Sequence, residues 1–431
     1  MLSSNLRTSA SLTPATALAS RYRQVRAATE SLCRPLAADD YAMQSMPDAS
    51  PAKWHIAHTS WFFEEFVLQA ALESYQFFDP AFRYLFNSYY ESVGPRHNRA
   101  ERGLISRPTI EQVWAYRAHV DEEMQLLLER DVLGPELRKT VTIGLHHEQQ
   151  HQELLLTDIK HLFSRNPLQP VYAPTATAAR RGAAVPLAFT EFAGGLVEIG
   201  HAGEGFCFDN ELGRHRVFLE PFLLANRLVT NGEYLQFVRD GGYDRAEHWL
   251  SDGWACVQRE KWRQPMYWTD SLDQEFTLAG LRALDPHSPV CHLSFYEADA
   301  FARWAGGRLP TEFEWESATF GQALRGNFVE DSVWHPTPAA PPEPGSASPP
   351  QQMFGDVWEW TASAYAPYPR FQPLNGALGE YNGKFMVNQL VLRGGSCATP
   401  RSHIRATYRN FFYPGARWQF SGVRLAADVQ R

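Results

Sequence analysis

The residues of this chain best suited to chemistry lie in Leu145 to Leu156, LHHEQQHQELLL. His147 and His151 are four residues apart, so on a helix their imidazoles share one face, one turn apart. That spacing suits two adjacent positions on a metal ion, and neutral imidazole is the commonest protein ligand. The plain alternative is a polar face with two unrelated histidines. Leu154 and Leu155 continue the histidine face as apolar surface, and polar groups on a buried face need partners. A metal is therefore the favoured reading.

The same residues spell H-E-x-x-H, the zinc metalloprotease helix, with Glu148 as its general base. The extended form of that motif needs a glycine and a third histidine where this chain has Leu154 and Thr157. Glu153 falls roughly 200° around a helix from His151 and so points elsewhere. It reads as a structural residue or a support for the ligands, not as a ligand.

Other helices must supply the remaining ligands. Thr13-Pro14 looks like a cap followed by proline at the first helical position, with Leu18, Tyr22, Val25 and Leu32 marking one face. Ser50-Pro51 opens a second helix whose face carries Trp54, His58, Trp61, Phe62 and Glu65. His58 lies between two tryptophans and is expected to be buried, in need of a metal or a hydrogen bond; His55, one turn earlier, is its rival. Thr109 with Gln112 forms a capping box for a third helix running to about Arg130. The fourth follows Gly134-Pro135 and carries His147 and His151. Four long helices with short to moderate links make a bundle, and bundle metal sites are built from facing helices.

Length and composition bound the rest. At 431 residues the chain is long enough for two or three domains. Its formal charge of −8 speaks against a nucleic-acid surface, and no apolar run approaches a membrane span. The five cysteines are scattered without a C-x-x-C, which fits a reducing cytoplasm better than a disulfide framework. The first residues lack the charged start and apolar core of a signal peptide. They read as a disordered tail over 1–15, followed by the bundle over 16–165 and an aperiodic Pro/Ala/Arg-rich linker over 166–187.

From 188 to 431 the pattern changes to short alternating runs such as Val217-Phe-Leu and Leu390-Val-Leu, with many glycines and tryptophans. Short helices are expected near Asn231 to Arg239 and Phe295 to Trp304. Pro336 to Pro350 holds seven prolines and reads as a surface excursion within one irregular α+β domain. Tyr89 and Tyr90, in Asn87-Ser-Tyr-Tyr-Glu-Ser-Val-Gly-Pro-Arg96, suit either packing or function; packing is the commoner fate of such a pair.

The second half carries Gly307-Arg-Leu-Pro-Thr-Glu-Phe-Glu-Trp-Glu316, Gly355-Asp-Val-Trp-Glu-Trp-Thr361, Arg393-Gly-Gly-Ser396 and Phe420-Ser-Gly-Val-Arg-Leu425. In that order these resemble the formylglycine-generating-enzyme (sulfatase-modifying factor) domain, which has a C-type-lectin-like fold. The first half resembles the DinB-like four-helix metal bundle, through His58 and His147-x3-His151-x-Glu153. Together, in this order, the two are similar to the iron-dependent sulfoxide synthases of ergothioneine biosynthesis. Asn87 to Pro95 matches the cysteine-using branch of that family.

The resemblance implies an oxidoreductase with non-haem Fe(2+) held by His58, His147 and His151, which places His58 over His55 and sets zinc aside. It implies hercynine (trimethylhistidine), cysteine and O2 as substrates, with a C–S bond formed at the imidazole carbon between the nitrogens and the sulfur oxidised to sulfoxide. The active-site tyrosine maps onto Tyr90, with Tyr89 beside it. Gln150 matches a hercynine-binding glutamine, and Asn410, in the run Asn410-Phe411-Phe412, matches an asparagine near the trimethylammonium. Tyr365 and Tyr368, in the loop after Trp360, are alternative candidates for lining the substrate site, and Arg96 is a candidate for the cysteine carboxylate. Physical chemistry agrees with these roles. Three neutral nitrogens leave three octahedral positions open, and a quaternary ammonium suits aromatic walls and amide oxygens.

Departures narrow the reading. No second cysteine follows Cys397, which disfavours formylglycine generation. Relatives using γ-glutamylcysteine carry Asn-Trp-Asp where this chain has Asn-Phe-Phe, so that donor is disfavoured too. A selenoneine-forming relative taking a seleno-sugar is the near alternative. A zinc metalloprotease and a non-catalytic lectin-like module are the remote ones.

Overall fold

The computed structural model describes residues 14–174, 185–341 and 349–429. The cap expected at Thr13, and parts of the expected tail, linker and proline-rich stretch, lie outside the described residues. Contacts divide the chain into two compact units, Met1–Ser88 with Pro95–His151, and Tyr89–Gly94 with Gln152–Arg431.

The first unit is helical. Its elements are α1 (Pro14–Cys33), α2 (Ala52–Phe63), α3 (Phe82–Phe86), α4 (Ile110–Glu129) and α5 (Pro135–Arg165). Every residue of α2 is buried, so this helix is the centre of the unit and not an amphipathic wall. It continues through a π-helical turn, Glu64–Leu68. There the buried Glu64 accepts hydrogen bonds from the Tyr75 and Tyr116 hydroxyls and from the Phe78 N–H. Helix α4 opens on the reciprocal Thr109–Gln112 box read from the sequence. On α5, a Cβ added at Gly144 would stand 2.6 Å from a Phe63 ring carbon and 2.8 Å from one of Phe62. Glycine there is what lets α5 approach α2, one turn before His147. The boundary between units falls inside α5, after His151.

The second unit is built from short strands and helices. One sheet places β4 (Phe222–Ala225) between β1 (Phe189–Phe192) and β11 (Ala426–Asp428). A second has the order β10 (Ser421–Gly422), β7 (Trp358–Ala364), β8 (Leu390–Arg393), β9 (Asn410–Phe412). Hairpins β2–β3 (Gly195–Ile199, His215–Leu219) and β5–β6 (Gln274–Thr277, Gly280–Ala283) complete it. Helices α6 (Asn231–Arg239) and α8 (Phe295–Trp304) stand where the sequence places them. Helices α7 (Ser251–Glu260) and α9 (Glu312–Ala318) are additional. Helices α6, α8 and α9 begin with the capping boxes Thr230/Glu233, Ser294/Glu297 and Thr311/Glu314.

So little regular sheet needs other cross-links, and the sequence motifs provide them as buried ion pairs. Arg424 donates both Nε and Nη2 to Glu359, at 2.7 and 3.0 Å. Arg409 holds Glu312 in the same bidentate way, at 2.9 Å on each oxygen, and Arg393 donates to Glu316. Fork-to-carboxylate geometry satisfies both charges at once, which buried ions require. In the stretch after α5, Tyr172 and Ala173 are buried and both N–H groups donate to the Leu278 carbonyl.

Candidate functional site

Helices α2 and α5 bring His58, His147 and His151 together, with one ring nitrogen from each lying within 4.8 Å of the others. Nδ1 of His58 donates to the Phe86 carbonyl at 2.6 Å. That bond fixes the tautomer and leaves Nε2 as an acceptor, 3.1 Å from Nε2 of His147. A cation satisfies such an arrangement of lone pairs. The His58 ring is sandwiched between Trp54 (4.5 Å, 15°) and Trp61 (5.5 Å, 18°), as its place between two tryptophans suggests. Burial pushes all three imidazoles below the usual histidine range, His147 to about 3. They are neutral donors at any physiological pH, and the donor set fits a first-row divalent ion with open positions. His55 faces His151, Nδ1 to Nδ1 at 2.8 Å.

Glu148 does not face this cluster. Its carboxylate accepts from Arg26 Nη1 at 2.9 Å, Arg117 Nη2 at 2.8 Å and Thr29 Oγ1 at 2.6 Å, and it is fully buried. Burial alone would raise its pKa, but the two guanidiniums outweigh burial and hold it down at about 2. A general base must reach a water on the metal; this carboxylate is committed to two arginines. The H-E-x-x-H match is a coincidence of spacing, and the protease reading is corrected accordingly.

Glu153 is not a ligand either. Within the second unit its Oε1 accepts from Trp358 Nε1 at 2.7 Å and Ser396 Oγ at 2.5 Å, and its Oε2 from Thr399 Oγ1 at 2.7 Å. Gln150 stands on α5 beside His151, partly accessible. Arg96 is exposed and donates to the Ser88 carbonyl at 2.8 Å.

The tyrosines belong to the second unit. Tyr90 is buried, and its ring lies 4.7 Å from that of Tyr89. Burial pushes both phenols above the usual tyrosine value, so both stay protonated. Tyr89 meets Phe385 edge-on at 5.2 Å, Phe385 meets Phe411 at 5.9 Å, and Phe411 stacks on Tyr365 at 4.1 Å and 11°. An unbroken aromatic run therefore joins Tyr90 to β9. Tyr365 is pinned there by Asn210 Nδ2, which donates to its hydroxyl at 2.9 Å.

Tyr368 lies apart from that run. Its hydroxyl donates to Glu312 at 3.0 Å, and the Arg409 guanidinium lies 3.9 Å from its ring centroid. On β9, the Asn410 side-chain oxygen accepts from the Phe411 N–H, and Phe412 packs edge-on to Trp418 at 6.0 Å. Sequence reading missed Tyr381, buried and 6.3 Å from Tyr89. It also missed Glu380 and Lys384, although their i,i+4 spacing was a signal. Cys397 is fully buried with its thiol pKa pushed well up by burial. No helix among the described residues is long and apolar enough to cross a membrane.

Comparison with known proteins agrees with this layout. The sulfatase-modifying factor enzyme 1-like domain model matches residues 187–340 and 320–429, and the DinB superfamily model matches 21–155. The fold is thus a helical DinB-type bundle followed by an α+β domain of the sulfatase-modifying type. Hercynine oxygenase from Mycolicibacterium thermoresistibile is 31% identical, the alignment covering 89% of each chain. That from Mycolicibacterium smegmatis is 33% identical over 77% of this chain and 82% of its own. That from Mycobacterium tuberculosis is 30% identical over 89% and 92%. With both halves in the same order and identity at this level over nearly its whole length, the chain belongs to the hercynine oxygenase family.

Proposed function

We propose that the chain is a non-haem iron(II) enzyme that joins hercynine to cysteine, forming a C–S bond and a sulfoxide at the expense of O2, as in ergothioneine biosynthesis. The observation that carries the reading is the cluster of buried neutral imidazoles, His58, His147 and His151, in a chain of this family. Iron(II) bound there would bring thiol, imidazole and O2 into contact and accept and pass on electrons.

Atoms balance with one O2. The imidazole C–H and the thiol S–H lose their hydrogens, which leave as water with one oxygen atom, and the other oxygen stays on sulfur. The substrates supply all the electrons, so no nicotinamide or flavin is required. The chain's own residues bind and steer. In this reading Gln150 and Asn410 offer amide groups to hercynine, with Tyr365 and Phe411 as aromatic surface near its trimethylammonium. Tyr90, kept protonated by burial, holds a hydrogen at its Oη for transfer. Arg96 is the reserve partner for the cysteine carboxylate.

The test is anaerobic incubation of the whole chain with Fe(II), hercynine and each of cysteine, γ-glutamylcysteine and a seleno-sugar, followed by O2 and mass spectrometry. A hercynylcysteine sulfoxide mass with cysteine is the expected result. Turnover with the seleno-sugar alone would replace the reading by its selenium counterpart.

A further inference from the structure

The Tyr89–Gly94 segment clusters with the second unit although the residues flanking it, Ser88 and Pro95, cluster with the first. Its attachments explain this. Glu380 ends a 3₁₀ turn, Gly376–Glu380, and Lys384 lies in the next, Gly383–Phe385. Glu380 Oε2 accepts from the Glu91 N–H at 3.0 Å; Oε1 accepts from the Ser92 N–H at 2.9 Å and from its hydroxyl at 2.6 Å. Lys384 pairs with Glu380 at 2.8 Å, donates to the Tyr89 carbonyl, and places its ammonium 5.1 Å from the Tyr89 ring centroid. Phe385 closes on the Tyr89 ring from the same loop. Two successive backbone N–H groups converging on one carboxylate form an anion nest, here filled by a side chain.

We propose that Glu380 and Lys384 are positioning residues for Tyr90, fixing the backbone on both sides of that residue so that its phenol is held in one place. The proposal rests on Tyr90 acting as the hydrogen donor in the reaction above. Tyr90 is fully buried, and the contacts of Glu380 and Lys384 act on the backbone on either side of it. Carboxylate-to-amide bonds are charge-assisted and directional, whereas the tilted ring contact with Tyr89 alone would leave the segment free to slide. A shift of the phenol by about 1 Å is enough to cost catalysis heavily.

The test uses the whole chain, reconstituted with iron, and three variants: Glu380→Ala, Glu380→Gln and Lys384→Met. Hydrogen exchange across Tyr89–Gly94 reports the restraint, and the ratio of C–S product to oxidised thiol reports the phenol's position. In Glu380→Ala, exchange at Glu91 and Ser92 is expected to rise by about tenfold, with product shifting toward oxidised thiol at unchanged iron content. Glu380→Gln keeps an oxygen acceptor and should fall between it and the parent, and Lys384→Met should loosen the Tyr89 side. Unchanged exchange in Glu380→Ala, or faster exchange with the parent product ratio, would overturn the proposal. A parent chain that makes no C–S product with any donor fails the sulfoxide-synthase reading itself. A failed positioning role leaves parent turnover intact, so the two failures are distinguishable.

Discussion

The Nδ1 atoms of His55 and His151 face each other at 2.8 Å, so one of them carries the hydrogen between them. If His151 donates it, its Nε2 lone pair is free for a metal, and His55 acts as the orienting acceptor that metal-bound histidines usually have. His55 and His58 then divide the labour on α2, one supporting and one ligating. His55→Ala should retain stoichiometric metal at saturation but bind it about tenfold more weakly, whereas His58→Ala, His147→Ala and His151→Ala should each lose it. Titration with Fe(II) or Co(II) followed by metal analysis checks this. Full occupancy in His58→Ala with loss in His55→Ala would reverse the two roles.

What the sequence revealed and what it hid follow from range. The four bundle helices were legible because caps and periodicity are local, and Thr109–Gln112 is one that the structure reproduces. Chemistry alone left His58 and His55 as rivals on one helix, since spacing cannot separate them, and only the family resemblance joined His58 to His147 and His151. The fate of Glu148 was not legible: Arg26 and Arg117, 122 and 31 residues from it in the chain, carry no local mark of their pairing. The family motifs were legible as motifs, but their partners were not: Glu312, Glu316, Glu359 and Arg424 serve in buried ion pairs. The Glu380 attachment joins residues nearly three hundred positions apart, beyond any pattern in one sequence.

Glu148 offers a stability test. Glu148→Ala leaves Arg26 and Arg117 buried without their shared carboxylate, and removing one partner of such a network costs about 3–5 kcal/mol. Urea unfolding followed by the helical circular-dichroism signal should show a correspondingly earlier transition for the variant. A variant as stable as the parent would contradict the assigned network of Arg26, Arg117 and Glu148.

Glu380 gives a pH dependence. Its pKa is held at about 2, below the usual carboxylate range; burial opposes this, but the bonds from Lys384, from the Ser92 hydroxyl and N–H and from the Glu91 N–H prevail. A depressed folded-state pKa contributes stability above the unfolded value and loses it as pH falls through the folded one. The stability difference between parent and Glu380→Gln should therefore be full above about pH 4.5 and shrink toward pH 2. Parallel thermal melts over that range check it; a difference that grows on acidification would contradict the assigned contacts.

Tyr90→Phe separates binding from hydrogen donation. The ring is fully buried and lies against Tyr89, a contact that a phenyl ring keeps without the hydroxyl, so O2 and thiol should still be consumed. Product should move from the C–S adduct toward oxidised cysteine, because the donor is gone while the substrates still assemble. Mass spectrometry of both products, with O2 uptake measured alongside, reads the partition. An unchanged partition would pass the role to Tyr89, whose ring is 4.7 Å away, or to neither.

The sulfur donor can be argued from Phe412. The family resemblance implies an acid at this position in the users of γ-glutamylcysteine, and here it is a phenyl ring set edge-on to Trp418. A phenyl edge cannot pair with the glutamyl ammonium, and a charge buried without a partner is costly. The nearby Arg417 is no substitute, since it is a cation and already pairs with Glu297 at 2.8 Å. Free cysteine presents its charges close to the sulfur and does not need that position. We expect kcat/KM for cysteine to exceed that for γ-glutamylcysteine by at least about tenfold, which requires only ~1.4 kcal/mol of differential transition-state binding. Phe412→Asp should narrow the ratio by admitting the longer donor. Comparable values for the two thiols in the parent chain, or a preference for γ-glutamylcysteine, would sink the argument from Phe412.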